Sequence, residues 1–301
     1  MDRFEAMRVF TRVVERRSFT IAANDLGVPR STVTDAVKTL EARLGVRLLE
    51  RTTRTVRPTL DGEAHYRRCL ALIADLEDAE GAFGGAKPKG LLRLEVQGTL
   101  ARHFVVPSLP EFFAEYPDIE ISMSETERWV DLIREGVDVV LRFGQLPDSD
   151  MIAREVVVLQ RLTCAAPDYL ERHGTPATPD ALDGHRMIGL RSLTTGRVRP
   201  MEFMVGDGVR EIILPTTISV TGTESFLATA RLGLGLAQIP HFHAAQDLAR
   251  GTLVQVLSEW PPRPVPVSLL YPRNRQLSPR VRVFLDWAMR LFGRREGTSL
   301  A

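Results

Sequence analysis

The stretch SFTIAANDLGVPRSTVTDAVKTLEARLGVRLL, residues 18–49, decides how the chain begins to fold. Ser18 offers a hydroxyl that can cap the first free amides of a helix, and Phe19, Ala22, Ala23 and Leu26 then recur at helical spacing. Gly27 permits a left-handed turn. Pro29 suits the first position of a new helix, through which Val33, Val37, Leu40 and Leu44 run as one apolar stripe. The reading is two short helices around a tight turn. The second carries Arg30, Ser31, Thr32, Thr34, Asp35 and Lys38 on its opposite face. Short hydroxyls and cations of this kind suit base edges and phosphates when a helix N-terminus enters a major groove.

Small helices with polar outer faces are common, and such a face alone says little. The continuation is more selective. Arg43, Arg47, Arg51, Arg54 and Arg57 meet a single acid, Glu50, with threonines and Val56 between them, whereas a merely solvated face mixes signs. Residues 1–58 hold twelve Lys and Arg against seven Asp and Glu, a net +5; the whole chain is +1, so the remainder carries −4. A basic module on a mildly acidic remainder is the electrostatic footprint of a protein that meets nucleic acid at one end.

The run PRSTVTDAVKTLEARLGVRLLERTTRTVRPTLDG, residues 29–62, resembles the winged helix-turn-helix of LysR-type transcriptional regulators. The resemblance implies a recognition helix at 29–42, a wing at 47–57, and a protein that binds double-stranded DNA as a homodimer or a dimer of dimers. Candidate DNA contacts are Ser18, Arg30, Ser31, Thr32, Thr34, Asp35, Lys38, Arg51, Thr52 and Arg54. Two later segments, GVDVVLRFG at 136–144 and GLGLAQIP at 233–240, look like the family's periplasmic-binding-protein-like effector domain. In that family a small-molecule effector in the cleft alters the oligomer on DNA and so alters transcription.

Outside this module, residues 2–15 read as an opening helix with Ala6, Met7, Phe10, Val13 and Val14 toward a core. The N-terminal residues mix acids and arginines without an unbroken apolar region, so neither a signal peptide nor a membrane anchor is expected, and the protein is placed in the cytoplasm. Cys69 and Cys164 are too few for a disulfide framework and read as isolated thiols. From Thr59 to Phe83 a longer helix is expected, in which Cys69, Leu72, Leu76, Ala79 and Phe83 fall at alternating steps of three and four. That is a heptad seam and the candidate dimerisation surface. Gly84 to Gly90 follows as a flexible linker.

Beyond the linker, strand and helix patterns alternate, which predicts an α/β domain with a largely parallel sheet. The chain is expected to cross between two lobes near 160–163 and 264–267. The expected fold is therefore multidomain: an all-α winged helix-turn-helix at 1–58, a linker and dimerisation helix with hinge at 59–89, and a two-lobed α/β effector domain at 90–301. Lobe I would comprise 90–161 and 267–301, and lobe II 162–266. In open α/β sheets ligands sit beyond the carboxyl ends of strands, at helix N-termini. Candidate effector-binding residues are Gln97, Thr99, Leu100, Arg142, Gly144, Thr221 and Thr223, and the effector is expected to carry an anionic group.

An enzyme finds little support. There is no GxSxG elbow, P-loop, HExxH or GxGxxG after a strand, so no catalytic residue and no cofactor is assigned. His241 and His243 stand two apart, which on a helix sends them to different faces, and no metal site is read. A transporter's solute-binding protein would share the two-lobed fold but predicts an export signal and no basic module at the start.

Overall fold

A capping box between Asp2 and Glu5 starts α1 (Arg3–Arg16). Ser18 caps α2 (Phe19–Leu26), its Oγ accepting from the Ile21 amide at 3.3 Å, and Gly27 ends it at φ +66°. α3 (Arg30–Leu44) follows directly. Val9, Phe10 and Val13 pack with Ala22, Ala23, Val33, Val37 and Leu40 as one buried core, while Leu44, at the end of the expected stripe, is exposed. The computed structural model describes residues 1–51, 56–81, 87–126, 136–144, 151–273 and 277–296.

Strands β1 (Leu49–Arg51) and β2 (Val56–Pro58) pair antiparallel, so the first module is helical with a small β ribbon rather than all-α. Glu41 ties this ribbon to α3: its Oε1 accepts from the Leu48 and Leu49 amides at 2.9 and 3.1 Å. Thr59 then caps α4 (Leu60–Gly81), accepting from the Gly62 amide at 2.9 Å while donating to the Arg47 carbonyl at 2.7 Å. Helix and ribbon meet so closely that a Cβ on Gly62 would lie 1.9 Å from the Leu48 carbonyl oxygen.

The first turns of α4 lie against this module, and Cys69 is wholly buried in its core. Its expected place in the dimer seam is therefore corrected: the apolar face there is consumed by the chain's own helices. Leu72 and Leu76 are different, with 50% and 39% of their surface exposed. The Ala79 side chain and all of Phe83 lie outside the described residues. Burial pushes the thiols of both Cys69 and Cys164 up to about 12, which leaves them protonated and unreactive at neutral pH.

After the linker, β3 (Gly90–Val96) runs into a helical segment made of α5 (Gly98–Leu100), a π-helical turn (Ala101–Val105) and α6 (Val106–Glu115). In the wide turn the Val106 amide reaches back to the Ala101 carbonyl. Strands β4 (Ile119–Ser124), β5 (Val139–Phe143) and β6 (Met151–Leu159) complete the outgoing part of lobe I. Lobe II then contains β7 (Arg161–Ala165), α7 (Pro167–His173), β8 (Met187–Leu190), β9 (Met201–Val205), β10 (Gly208–Ile212) and β11 (Thr216–Val220). It continues with α8 (Thr223–Arg231), β12 (Ala237–Pro240), α9 (His241–Arg250) and β13 (Val254–Val256). The chain returns through β14 (Val265–Pro272) and ends in α10 (Pro279–Glu296).

Lobe I is built on a five-stranded sheet in the order β4-β3-β5-β14-β6. Only β4, β3 and β5 are parallel neighbours; β14 is antiparallel to both β5 and β6. The sheet is mixed because β14 comes straight back from the other lobe without the crossover helix that a parallel return needs. Its first residues also shift the lobe boundary. Val265 and Pro266 pair with Leu159 and Val158 in lobe I, whereas Arg161 pairs with Pro240 in the β12-β7-β13 sheet of lobe II. The crossings therefore fall at Gln160 and just before Val265. Among the described residues, no helix is long and apolar enough to cross a membrane.

Candidate nucleic-acid interface and ligand cleft

The first candidate site is a face of α3. Arg30, Ser31, Asp35 and Lys38 are exposed, and Thr32 and Thr34 are half-buried beside them. The Thr34 hydroxyl donates to the Arg30 carbonyl at 2.9 Å, so its proton is spent within the helix and only acceptor capacity faces outward. The helices α1, α2 and α4 begin at side-chain caps, Asp2, Ser18 and Thr59, whereas Pro29 gives α3 none. The first amides of α3 are left for an external acceptor, and the helix dipole favours an anion there. Arg51 ends β1; Thr52 and Arg54 fall outside the described residues. Ser18 lies at the start of α2, where its oxygen is already engaged by Ile21.

The second site is a cavity of about 370 Å³ between the lobes. Gln97, Thr99, Arg142, Gly144, Thr221 and Thr223 all line it. Leu100 does not: it is wholly buried in the lobe I core, because the side chain after Thr99 turns inward as the helix starts. The Thr99 and Thr223 hydroxyls meet across the lobes at 2.6 Å, joining the two helix starts. Gln97 accepts from the Phe143 amide at 3.2 Å, which fixes the loop ends of β3 and β5 together. Gly144 turns away at φ +93°, a backbone that a side chain would strain.

Arg142, expected as a cation of this site, lines the cavity and is at the same time tied into lobe I. It is buried and paired to the buried carboxylate of Glu95, and it also donates to the Thr126 carbonyl at 3.4 Å. Its charge is met inside the lobe. Three further arginines, absent from the expected site, also line the cavity: Arg161, Arg191 and Arg199. Arg161 pairs with Glu202 at 2.9 Å; burial lowers its pKa and Glu202 opposes that. Arg191 donates to Ser219 at 2.7 Å, and Arg199 makes no ion pair among the described residues. The sequence does hold a faint signal for two of them. RSLTTGRVRP, residues 191–200, crowds three arginines and three hydroxyls just after β8. Gln238 lines the back wall, donating to Thr163 at 3.1 Å and to the Glu202 carbonyl at 2.7 Å.

His243 also lines the cavity and is buried, while its neighbour His241 is half-buried at the head of α9. Burial holds the His243 imidazole below its ordinary pKa, against the opposing pull of Glu224, which stands 3.2 Å away. The neutral ring is therefore favoured at pH 7.

An uncapped helix with a polar, cationic face, joined by a long helix to a two-lobed domain around a ligand-sized cavity, defines a ligand-responsive DNA-binding regulator. Residues 4–63 match the bacterial regulatory helix-turn-helix protein of the lysR family, and residues 85–293 match the LysR substrate binding domain. The chain belongs to the LysR family of transcriptional regulators, whose members are not enzymes. It is 35% identical over 291 residues to the uncharacterized HTH-type transcriptional regulator YhjC of Escherichia coli K12, covering 95% of this chain and 97% of that one. Against an HTH-type transcriptional repressor of Pseudomonas aeruginosa (strain UCBPP-PA14) the identity is 36% over 297 residues, covering 97% and 93%. The solved structure of CrgA, a LysR-type regulator from Neisseria meningitidis, is similar with a TM-score of 0.62 and 30% identity over 96% of this chain and 98% of that chain.

Proposed function

We propose that this regulator reads its operator with the outer face of α3 and answers to a small anionic metabolite held between its lobes. Arg30, Ser31, Thr32, Asp35 and Lys38 supply the base and phosphate contacts, and Arg51, Thr52 and Arg54 of the wing grip the backbone. The observation that carries the DNA reading is the uncapped start of α3 beside exposed Arg30 and Ser31. The anionic effector is supported by Arg161, Arg191 and Arg199 converging on one cavity with Glu202 the acid paired to Arg161. The working divisions are 1–58 for DNA, 59–89 for coupling and 90–301 for the effector, acting in the cytoplasm.

Pairing two such modules needs an interface, and Leu72 and Leu76 supply apolar surface that the chain itself leaves exposed. A two-fold axis along α4 would set two α3 helices on half-sites one duplex turn apart or a multiple of it. Titrating the purified protein against DNA upstream of its own coding region, with random DNA as competitor and at several salt concentrations, tests the DNA reading. Binding that survives competitor is expected. Binding no tighter than to random DNA at every salt concentration defeats it for that site. Leu76→Asp is expected to halve the mass seen by light scattering; an unchanged mass moves the interface off α4.

A further inference from the structure

The cleft wall holds a second group of side chains, apart from the arginines proposed to hold the effector. His103 lies on the π-helical turn of lobe I, while Glu224 and His243 belong to α8 and α9 of lobe II. One ligand atom from each of the three lies within 4.8 Å of the others. Glu224 Oε1 and His243 Nε2 are already 3.2 Å apart, close to the edge of about 3.3 Å for a tetrahedron with metal–ligand bonds of about 2.0–2.1 Å. His103 is the third corner, and its ring meets the His243 ring edge-on, with centroids 5.3 Å apart. The other Glu224 oxygen is held by Arg102 at 2.8 Å, which leaves Oε1 to face the His243 imidazole. A carboxylate oriented from behind by a second partner is the arrangement that supports a metal ligand.

We propose that His103, Glu224 and His243 form a site for a divalent transition ion of zinc's preferences, which clasps the two lobes together at the cleft. Two imidazoles and one carboxylate suit Zn²⁺ far better than Mg²⁺ or Ca²⁺, which seek all-oxygen shells. Three protein ligands leave a fourth position for water or for a donor atom of whatever enters the cavity that His243 lines. The π turn matters here because such wide turns displace a side chain from the regular helical path, and they recur at functional sites. The sequence hides the cluster, since His103 is far from the other two and His241 draws attention to the wrong neighbour. The proposal is independent of what the effector is and of which operator is read.

The test uses the full-length protein, stripped of metal with a chelator and dialysed against Zn²⁺, with Mg²⁺ as control. One Zn²⁺ per chain is expected, with a rise in Tm of about 5–10 °C at a hundredfold excess over Kd, and no such rise with Mg²⁺. His243 is buried, so its replacement confuses folding with binding. His103→Ala and Glu224→Gln, at half-buried and exposed positions, are the informative variants. Each should weaken Zn²⁺ binding at least tenfold and remove most of the Tm rise, and both should change the visible spectrum of the Co²⁺ form, whereas His241→Ala should do neither. Absence of saturable Zn²⁺ binding overturns the proposal, as does one equivalent retained with an unchanged Tm rise in both variants.

Discussion

The two working surfaces of this protein are made in opposite ways. The proposed DNA-facing site centres on one helix, whose outer residues are neighbours in sequence and whose inner residues pack on α1 and α2. The cleft is assembled from the ends of strands and helices in both lobes, joined by contacts such as Thr99 to Thr223. In the first, exposed charges are free to face a ligand. In the second, a charge close to the ligand can be consumed by the fold, as Glu95 consumes that of Arg142. A charge's position in the sequence therefore says more about function at the DNA end than in the cleft.

The largest test of that contrast is Arg142→Met. It removes the guanidinium paired with the buried Glu95 carboxylate, so a loss of about 3–5 kcal/mol in unfolding free energy is expected by urea titration. The same change at exposed Arg30 should leave stability within about 0.5 kcal/mol. Near-normal stability for Arg142→Met, with the ligand response abolished instead, would make Arg142 an effector contact after all and erase the distinction.

A smaller effect is expected where the DNA module meets the coupling helix. Gly62→Ala sets a methyl 1.9 Å from the Leu48 carbonyl oxygen, and the backbone must shift at about 1–3 kcal/mol or more. Gly27→Ala meets nothing within 4 Å and costs only its left-handed backbone, about 1–2 kcal/mol. Thermal unfolding should rank Gly62→Ala below Gly27→Ala. Operator affinity should fall further for Gly62→Ala, because that close approach fixes the ribbon against α4. Equal behaviour of the two would mean that the junction is plastic and α4 does not hold the wing.

How much is legible in the sequence follows from the same division. The helix-turn-helix, the Thr59 cap and the polar face of α3 all rest on spacings of three and four and on local capping, which a single sequence carries. Cys69 shows the limit even there: a heptad step reveals that a residue is apolar and inward, but not whether inward means a partner chain or its own domain. In the cleft, glycine and hydroxyl signals at strand ends point to Gln97, Thr99, Thr221 and Thr223, since these are local features of a helix start. Leu100 falls one helical step away from that face. Arg161 and the His103–Glu224–His243 group depend on how segments far apart in the chain are laid side by side, and no local pattern encodes that, while Arg191 and Arg199 leave only the crowding of RSLTTGRVRP as a trace. The antiparallel return of β14, with its shift of the lobe boundary to Val265, is legible only once the second lobe has closed on the first.

The finest test separates two arginines of the DNA module. Arg30 stands exposed on the first turn of α3, where a guanidinium can pair with the two acceptors on a guanine edge. Arg30→Ala should cost about 1–3 kcal/mol on the preferred operator and much less on operators altered at that base pair, so the ranking of operator variants changes. Arg51 lies on the wing strand, and a backbone contact from there is blind to sequence. Arg51→Ala should weaken binding to every variant alike and flatten the slope of log K against log salt by about 0.9 for each phosphate no longer neutralised. Titrating both variants against the same small set of operators at three salt concentrations separates ranking from slope. If Arg30→Ala changes only the slope, the guanidinium serves phosphate and the sequence is read by Ser31, Thr32 and Lys38. If Arg51→Ala changes the ranking, the ribbon that Glu41 ties to α3 is placing a base-reading side chain, and recognition extends beyond one helix.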